Sequence, residues 1–125
     1  MPRLQDKIAV ITGGNSGIGE ATAKLFAREG ATVVITARRE HELRRVADEI
    51  TTAGGNCVYI PGDVTSTADV DNVIDKTVEM FGRIDILINN AGIGDRHTPT
   101  LKVEDDFWDE VQNVDLKGVM RCCRA

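Results

Sequence analysis

The chain has 125 residues and a formal net charge of −5 at pH 7. This acidic balance argues against a nucleic-acid surface, and the longest uninterrupted apolar run, Ile8 to Ile11, is too short for a membrane span or a signal peptide. The three cysteines form no Cys-x-x-Cys pair, and we expect the adjacent Cys122 and Cys123 to be buried thiols. We therefore expect one cytoplasmic domain over residues 1–125, without nucleic-acid, membrane or metal partners.

The first predicted element is a buried strand at Lys7–Thr12, a short apolar run with β-branched residues. Gly13, Gly17 and Gly19 follow it, and a helical pattern covers Gly17–Arg28. A strand, a glycine turn and a helix together aim free backbone N–H groups and a helix dipole at a phosphate. Because glycine lacks a Cβ atom, the chain can turn tightly and a pyrophosphate can approach its backbone.

Two alternatives to a dinucleotide loop fit the same glycines. The glycines also fit a plain tight turn between a strand and a helix. Gly14 and Gly19 have the spacing of a P-loop, but Glu20 and Ala21 stand where that loop requires Lys and then Ser or Thr. No cation would therefore reach the β- and γ-phosphates of a nucleotide.

Strand-like and helical patterns then alternate along the chain. Further strands are predicted at Thr32–Thr36, Cys57–Ile60 and Ile84–Asn89, and further helices at Glu40–Ala53 and Thr67–Phe81. This alternation predicts an α/β fold, a three-layer, doubly wound, Rossmann-like parallel sheet with strand order 3-2-1-4. Gly30 and Gly54 are suited to end the first two helices, and Ser66 or Thr67 to cap the third.

The second strand ends in arginines where a dinucleotide fold often has an acidic residue for the adenosine ribose. Ala37 occupies that place, and Arg38 and Arg39 follow. A guanidinium can hold a 2′-phosphate bidentately, so these residues favour NADP over NAD. Alternatively, the arginines begin a solvated helix in which Glu40 and Arg44 form a pair.

The tips of the third and fourth strands are also polar or small. Asp63 is either an ordinary Asx turn or an acceptor for an adenine amino group. The fourth strand ends in Asn89-Asn90-Ala91-Gly92, which could equally be a turn built on Asn and Gly. Three such tips at one edge of a sheet favour a ligand site, because ligands of open α/β sheets lie there.

Together these residues resemble the short-chain dehydrogenase/reductase family in its NADP-preferring branch. The likeness extends from Lys7 to Ala125 and is carried by Thr12-Gly13-x-x-x-Gly17-Ile18-Gly19, Arg38, Asp63-Val64, Asn89-Asn90-Ala91-Gly92 and Asn113-Val114-Asp115-Leu116-Lys117-Gly118. The resemblance implies hydride transfer between NADP(H) and a small-molecule carbonyl or alcohol, and a homo-oligomer for full-length members.

The resemblance also implies a role for each matching position. The glycine run would hold the pyrophosphate, and its residues are Thr12, Gly13, Asn15, Ser16, Gly17, Ile18 and Gly19. Arg38 would hold the 2′-phosphate, and Asp63 and Val64 would contact adenine. The cofactor's ribose side would be lined by Asn90, Ala91 and Gly92, and Asn113 would match the family's catalytic Asn.

The sequence departs from the family in lacking its Ser and Tyr-x-x-x-Lys, which carry the proton transfer. The single tyrosine, Tyr59, falls in the third strand, and Asp63 stands four residues later instead of Lys. We therefore expect the cofactor-binding half of such an enzyme, truncated before the later strands and inactive alone, with an unpaired edge on the fourth strand. A dinucleotide-binding module without chemistry is the main alternative. A Rossmann-type methyltransferase is disfavoured, because it needs an acid near Ala37.

The substrate is not indicated by the sequence. In the resembling family, the loop Ile93–Pro99 would border the substrate pocket, and we expect His97 in it to be solvated rather than catalytic. Phe107, Trp108 and Val111 have helical spacing, which predicts a core or interface face.

Overall fold

The computed structural model describes residues 2–93 and 99–125. Its strands are β1 (Ile8–Thr12), β2 (Thr32–Thr36), β3 (Asn56–Tyr59) and β4 (Ile86–Ile88). Its α-helices are α1 (Gly17–Arg28), α2 (Glu40–Thr52), α3 (Thr67–Phe81), α4 (Asp105–Gln112) and α5 (Gly118–Arg124). A short 3₁₀ turn (Thr100–Lys102) precedes α4, and a π-helical turn (Asn113–Lys117) joins α4 to α5.

The strands form one parallel sheet in the order β3-β2-β1-β4, which confirms the predicted topology. Successive strand residues point to opposite faces, and each face has its own buried core. The core shared with α1 and α2 contains Ile11, Ala23, Ala31, Val33, Ile35, Leu43, Val46, Ala47 and Ile50. The core shared with α3 contains Val10, Val34, Ile60 and Val73. The sheet is thus covered on both faces, and the doubly wound, three-layer prediction is confirmed.

The strand β4 is shorter than the predicted Ile84–Asn89, and Asp85 explains where it begins. The backbone N–H of Ile8 donates to the Asp85 carboxylate at 2.8 Å, while the Asp85 N–H donates to the Ile8 carbonyl at 2.9 Å. This hydrogen bond from Ile8, followed by one from Arg83, holds the pKa of Asp85 below its usual range. A side chain therefore replaces one rung of the β1–β4 ladder.

Other element boundaries differ from the prediction by one residue. The strand β1 begins at Ile8 instead of Lys7, β3 covers Asn56–Tyr59 instead of Cys57–Ile60, and α2 ends at Thr52. The predicted helix ends are otherwise confirmed, with Gly30 and Gly54 at φ +95° and +92°.

The cap of α3 is Ser66 and not Thr67. The Ser66 hydroxyl accepts a hydrogen bond from the Asp69 backbone N–H at 3.1 Å. Thr67 is instead the first residue of the helix, so its hydroxyl cannot serve as the N-cap acceptor.

The last two α-helices bury few of their side chains. No side chain of α4 is buried, and Trp108 is 58% exposed, so the face predicted as a core or an interface is not a core, and its role as an interface stays a prediction. Cys122 is buried but Cys123 is exposed, so the expectation of two buried thiols is wrong for Cys123. Consecutive helix residues point about 100° apart, which separates the two thiols. None of the described helices is both long and apolar enough to span a bilayer.

Candidate functional site

A cavity of about 290 Å³ opens where the carboxyl ends of the four strands meet. Ligands of open α/β sheets bind in this position. Each of the four loops that follow the strands contributes to its wall, together with one residue of the π-helical turn. The lining residues are Gly13, Asn15, Ser16, Thr36, Ala37, Arg38, Arg39, Gly62, Asp63, Val64, Ala91, Gly92, Ile93 and Val114.

The predicted site residues fall into two groups in the structure. Those that line the cavity are Gly13, Asn15, Ser16, Arg38, Asp63, Val64, Ala91 and Gly92. Those that lie beside or beneath it are Thr12, Gly17, Ile18, Gly19, Asn90 and Asn113. The second group includes residues that shape the loops around the cavity, and their contacts explain how.

The glycines of the first loop have different local roles. A Cβ atom on Gly19 would lie 2.1 Å from the Gly13 carbonyl oxygen, and one on Gly13 would lie 2.9 Å from the Asn90 amide nitrogen. These two glycines allow the turn to close. Gly17 has φ +55°, and a Cβ atom there would meet nothing within 4 Å. Gly17 therefore leaves open space at the start of α1.

The N-terminus of α1 presents backbone donors at this loop. Ser16 is the N-cap residue in an extended conformation, but its side chain makes no capping hydrogen bond. The first N–H groups of a helix have no partner inside the helix, and together with the dipole they attract an anion. Ser16 itself lines the cavity, so this end of α1 borders it.

Thr12 and Asn90 join the glycine loop to the tip of β4. The buried Thr12 hydroxyl accepts hydrogen bonds from the backbone N–H groups of Asn90 and Ala91, both at 3.0 Å. The Asn90 amide donates to the Gly13 carbonyl at 3.2 Å. These bonds hold two walls of the cavity together from beneath.

Asp63 forms the predicted Asx turn and also lines the cavity. Its carboxylate accepts hydrogen bonds from the Thr65 backbone N–H at 2.9 Å and the Thr65 hydroxyl at 2.7 Å. Burial raises the pKa of Asp63, but the Thr65 hydrogen bonds and the charges of Arg38 and Arg121 outweigh it and lower the pKa. Asp63 is therefore ionised at neutral pH and can accept a hydrogen bond from a ligand.

Asn113 lies at the start of the π-helical turn, outside the cavity wall. Its side-chain oxygen is buried and finds no hydrogen-bond donor among the described residues. Its backbone carbonyl accepts a bond from Arg121 at 3.3 Å, and the same guanidinium nitrogen donates to the Val64 carbonyl at 3.0 Å. Arg121 thus ties α5 to a residue of the cavity wall.

Most of the loop predicted to border the substrate pocket lies outside the residues that the structure describes. Gly94 to Thr98, including His97, are not among the described residues. Ile93 lines the cavity, and its backbone N–H donates to the Asp115 carboxylate at 2.8 Å. This hydrogen bond connects the loop after β4 to the π-helical turn.

A second cavity of about 650 Å³ lies between the C-terminal halves of α1 and α2, away from the strand tips. Lys24 and Glu49 at its edge pair with each other at 2.6 Å. No polar residues from several loops converge there, so we assign it no role. Within residues 2–93 and 99–125 no three potential metal ligands form a cluster.

Sequence reasoning did not identify two arginines that hold the cavity walls. Arg121 contacts the Val64 carbonyl, and Arg45 of α2 donates to the Asn15 carbonyl at 3.3 Å. In the sequence, Arg45 has Glu42 and Glu49 at helical spacing. That pattern predicts helix-surface ion pairs and gives no signal of a contact with a loop far away in the chain.

The fold and the position of the cavity define a Rossmann-like α/β domain. A family model for short chain dehydrogenases matches residues 7–125. The chain therefore belongs to the short chain dehydrogenase family.

Several relatives and solved structures resemble the chain closely. It is 43% identical over 121 residues to an A-factor type gamma-butyrolactone 1′-reductase of Streptomyces virginiae, covering 97% of this chain and 47% of that protein. A short chain dehydrogenase from Mycobacterium smegmatis superposes with a TM-score of 0.94 at 41% identity, covering 99% of this chain and 52% of that one. A 3-ketoacyl-(acyl-carrier-protein) reductase from Brucella melitensis, complexed with NADH, superposes with a TM-score of 0.91 at 40% identity. The match covers 97% of this chain and 48% of that one. The chain spans about half the length of these proteins.

Proposed function

We propose that this chain forms the cofactor-binding part of an NADP(H)-dependent oxidoreductase acting on a small-molecule carbonyl or alcohol. The observation that carries the proposal is the convergence of four strand tips on one cavity. Residues of the glycine loop, Arg38, Arg39 and Asp63 all line this cavity.

The residues present suit the parts of a dinucleotide. The open space beside Gly17 and the uncapped start of α1 suit a pyrophosphate. Asp63 and Val64 suit the adenine ring, and Ala91 and Gly92 suit the ribose next to the nicotinamide. When bound, the nicotinamide supplies or accepts the hydride.

Arg38 and Arg39 support NADP over NAD. Both line the cavity at the end of β2, where Ala37 provides no carboxylate to accept a bond from a ribose hydroxyl. A guanidinium matches the geometry of a phosphate, so the 2′-phosphate of NADP would be held there. The reductase from Brucella melitensis was solved with NADH, which describes that protein. The preference for NADP over NAD proposed here depends on Arg38 and Arg39 of this chain.

The same observations support a second candidate, an NADP-binding module without activity of its own. Every proposed cofactor contact falls within residues 12–92. The sequence contains no Tyr-x-x-x-Lys, and Asn113 is the only position matched to the expected catalytic set. The names of the relatives refer to different substrates, so the proposed substrate class is a small-molecule carbonyl or alcohol.

Titration of the purified 125-residue chain with NADPH, NADH and S-adenosylmethionine tests the proposal. We expect NADPH to bind at least about tenfold more tightly than NADH, the effect of one or more hydrogen bonds to a charged group. S-adenosylmethionine should not bind. If neither dinucleotide binds the folded chain, the proposal is overturned. Equal affinities for NADPH and NADH would overturn the NADP preference proposed for Arg38 and Arg39, but not the dinucleotide site itself.

A further inference from the structure

We propose that Arg45 is a positioning residue for the phosphate loop. It holds the Asn15 carbonyl from α2 and neutralises Glu20 at the start of α1. The inference rests on the proposed function, because it concerns the loop that would receive the cofactor's pyrophosphate.

Arg45 is the centre of a charged cluster between α1 and α2. Its guanidinium contacts the Glu20 carboxylate with both terminal nitrogens, at 2.8 and 3.3 Å. It also contacts Glu42 and Glu49, each at 3.3 Å. From this cluster one nitrogen reaches the backbone oxygen of Asn15 at 3.3 Å. The cluster therefore ends on the wall of the cavity.

The contact with Asn15 fixes the orientation of a peptide group. The chain contains no cis peptide bond among the described residues, and in a trans peptide the N–H points opposite to the C=O. Since the Asn15 carbonyl points to Arg45 on α2, the N–H of Ser16 points away from α2. Arg45 thereby orients one of the donors at the N-terminus of α1 and keeps that carbonyl from facing an anion.

Glu20 makes this neutralisation necessary. It lies in the first turn of α1, where a carboxylate stabilises the free helix but repels a pyrophosphate bound at the same end. Its side chain is 18% exposed, so solvent screens it only partly. A carboxyl with its ordinary pKa of 4.5 is already ionised at neutral pH, and hydrogen bonds first from Arg45 and then from Lys24 lower the pKa of Glu20 to about 2. The negative charge of Glu20 is therefore present at this end of α1 and is offset by these two cations.

Lys24 provides a matched comparison for Arg45. Its ammonium contacts Glu20 and Glu49, both at 2.6 Å, and it occupies the same cluster. Among the residues that the structure describes, it donates no hydrogen bond to the glycine loop. A planar guanidinium can bind Glu20 and the Asn15 carbonyl together, whereas the lysine serves only the carboxylates.

The experiment compares Arg45→Met with Lys24→Met in the full chain. Each variant removes one cation from the cluster, and we expect both to lower the unfolding temperature. Arg45→Met should weaken NADPH and NADH binding by the same factor, at least about tenfold, because a charge-assisted contact and the loop orientation are lost. Lys24→Met should change either affinity by less than about twofold, because Arg45 still pairs with Glu20 and still holds the Asn15 carbonyl.

Smaller ligands separate a phosphate effect from general damage. Arg45→Met should weaken binding of ADP, which carries a pyrophosphate, and leave the affinity for adenosine unchanged. Arg45→Lys should bind NADPH with intermediate affinity, and it serves as the test if Arg45→Met does not fold. Adding Glu20→Gln to Arg45→Met should restore part of the NADPH affinity, since the carboxylate, which Lys24 alone then pairs, is removed.

The outcomes distinguish this inference from the proposed function. If the parent chain does not bind NADPH, the proposed function fails first. If the parent binds but Arg45→Met binds equally well, only the role of Arg45 is overturned. Equal losses of affinity in Arg45→Met and Lys24→Met would also overturn it, because they would reflect a general effect of the cluster on stability.

Discussion

The hydroxyl of Thr12 accepts a hydrogen bond from the backbone N–H of Asn90 at 3.0 Å, at the point where β1 and β4 both end. The same oxygen accepts a second bond, also 3.0 Å, from the N–H of Ala91. One buried side chain thus satisfies two backbone donors of a loop that lines the cavity. Because both half-buried donors depend on this one acceptor, Thr12 stabilises the loop through two hydrogen bonds at once.

We predict that Thr12→Val destabilises the chain by about 1–3 kcal/mol, because it removes two hydrogen bonds that each contribute about 0.5–1.5 kcal/mol. Valine has nearly the same shape, so the loss comes from the hydrogen bonds and not from packing. Unfolding in urea, followed by circular dichroism, measures the change. Thr12→Ser retains the oxygen and should recover most of the stability.

Thr36 provides the matched control for this prediction. It pairs with Thr12 across β1 and β2, and it is similarly buried, but its hydroxyl has no partner among the described residues. We expect Thr36→Val to be neutral or stabilising by about 1 kcal/mol, since an unpaired hydroxyl is removed from the core. If both valine variants lose the same stability, the Thr12 hydrogen bonds are not responsible.

A second prediction concerns Gly17. Gly17→Val should abolish cofactor binding, because its side chain would occupy the open space through which a pyrophosphate approaches the backbone. Gly82→Val is the control, since Gly82 also has a positive φ and open space but lies at the end of α3. Both variants carry backbone strain of about 1–2 kcal/mol. If both folded variants lose NADPH affinity, or if neither does, Gly17 does not border the pyrophosphate.

The order of the elements could be predicted from the sequence because local pattern and chain connectivity determine it. Apolar runs such as Ile8–Thr12 alternate with amphipathic helices, and parallel strands joined by helices allow few arrangements. The first and last residues of the elements were predicted less accurately, because they depend on contacts between residues that are distant in the sequence. The start of β4 depends on Asp85 bonding to Ile8, and nothing in the local sequence marks that bond.

The strand-tip residues of the site could be predicted for the same reason, since a parallel sheet brings its carboxyl ends to one edge. The supporting contacts could not. Arg45 and Asn15 are far apart in sequence, and so are Arg121 and Val64. Such pairs form only when the helices pack on the sheet. The sequence of an amphipathic helix does not indicate whether one of its arginines forms a surface ion pair or contacts a distant loop.

A third prediction concerns acid stability. The pKa of Glu20 is about 2 in the folded chain, against an ordinary value of 4.5, through hydrogen bonds first from Arg45 and then from Lys24. The unfolded chain therefore binds this proton more readily. The stability that ionised Glu20 contributes is fully present above pH 4.5 and is lost as the pH falls towards 2.

The free energy of unfolding, measured between pH 6 and pH 2.5, should reveal this loss as about 1–2 kcal/mol after solvent screening is allowed for. Glu20→Gln should flatten that part of the profile, because its side chain does not titrate. Glu79→Gln, an exposed carboxylate on α3, should leave it unchanged. Identical profiles for the parent and Glu20→Gln would show that Glu20 does not contribute.

A fourth prediction concerns cofactor choice. Arg38→Asp should narrow or reverse the preference for NADPH over NADH, a change on the order of 1.5–3 kcal/mol, because an acid repels the 2′-phosphate and accepts from a ribose hydroxyl. Arg44→Asp makes the same change in net charge at an exposed position outside the cavity wall. Arg44→Asp should keep the parent ratio of affinities. An unchanged ratio in Arg38→Asp would assign the preference to other residues.

The last prediction is that the 125-residue chain reduces no carbonyl and oxidises no alcohol at an ordinary enzymatic rate. The family's Tyr-x-x-x-Lys does not occur in this sequence, and Tyr59 lies in β3 with Asp63 four residues later. A positioned acid or base contributes about 10²–10⁴-fold, so its absence costs most of the rate. The assay follows NADPH oxidation with a panel of ketones and aldehydes. In the same preparation, NADPH binding must be demonstrated by titration, so that lack of turnover cannot be attributed to an unfolded chain. Turnover above about 1 s⁻¹ would show that another group in this chain moves the proton.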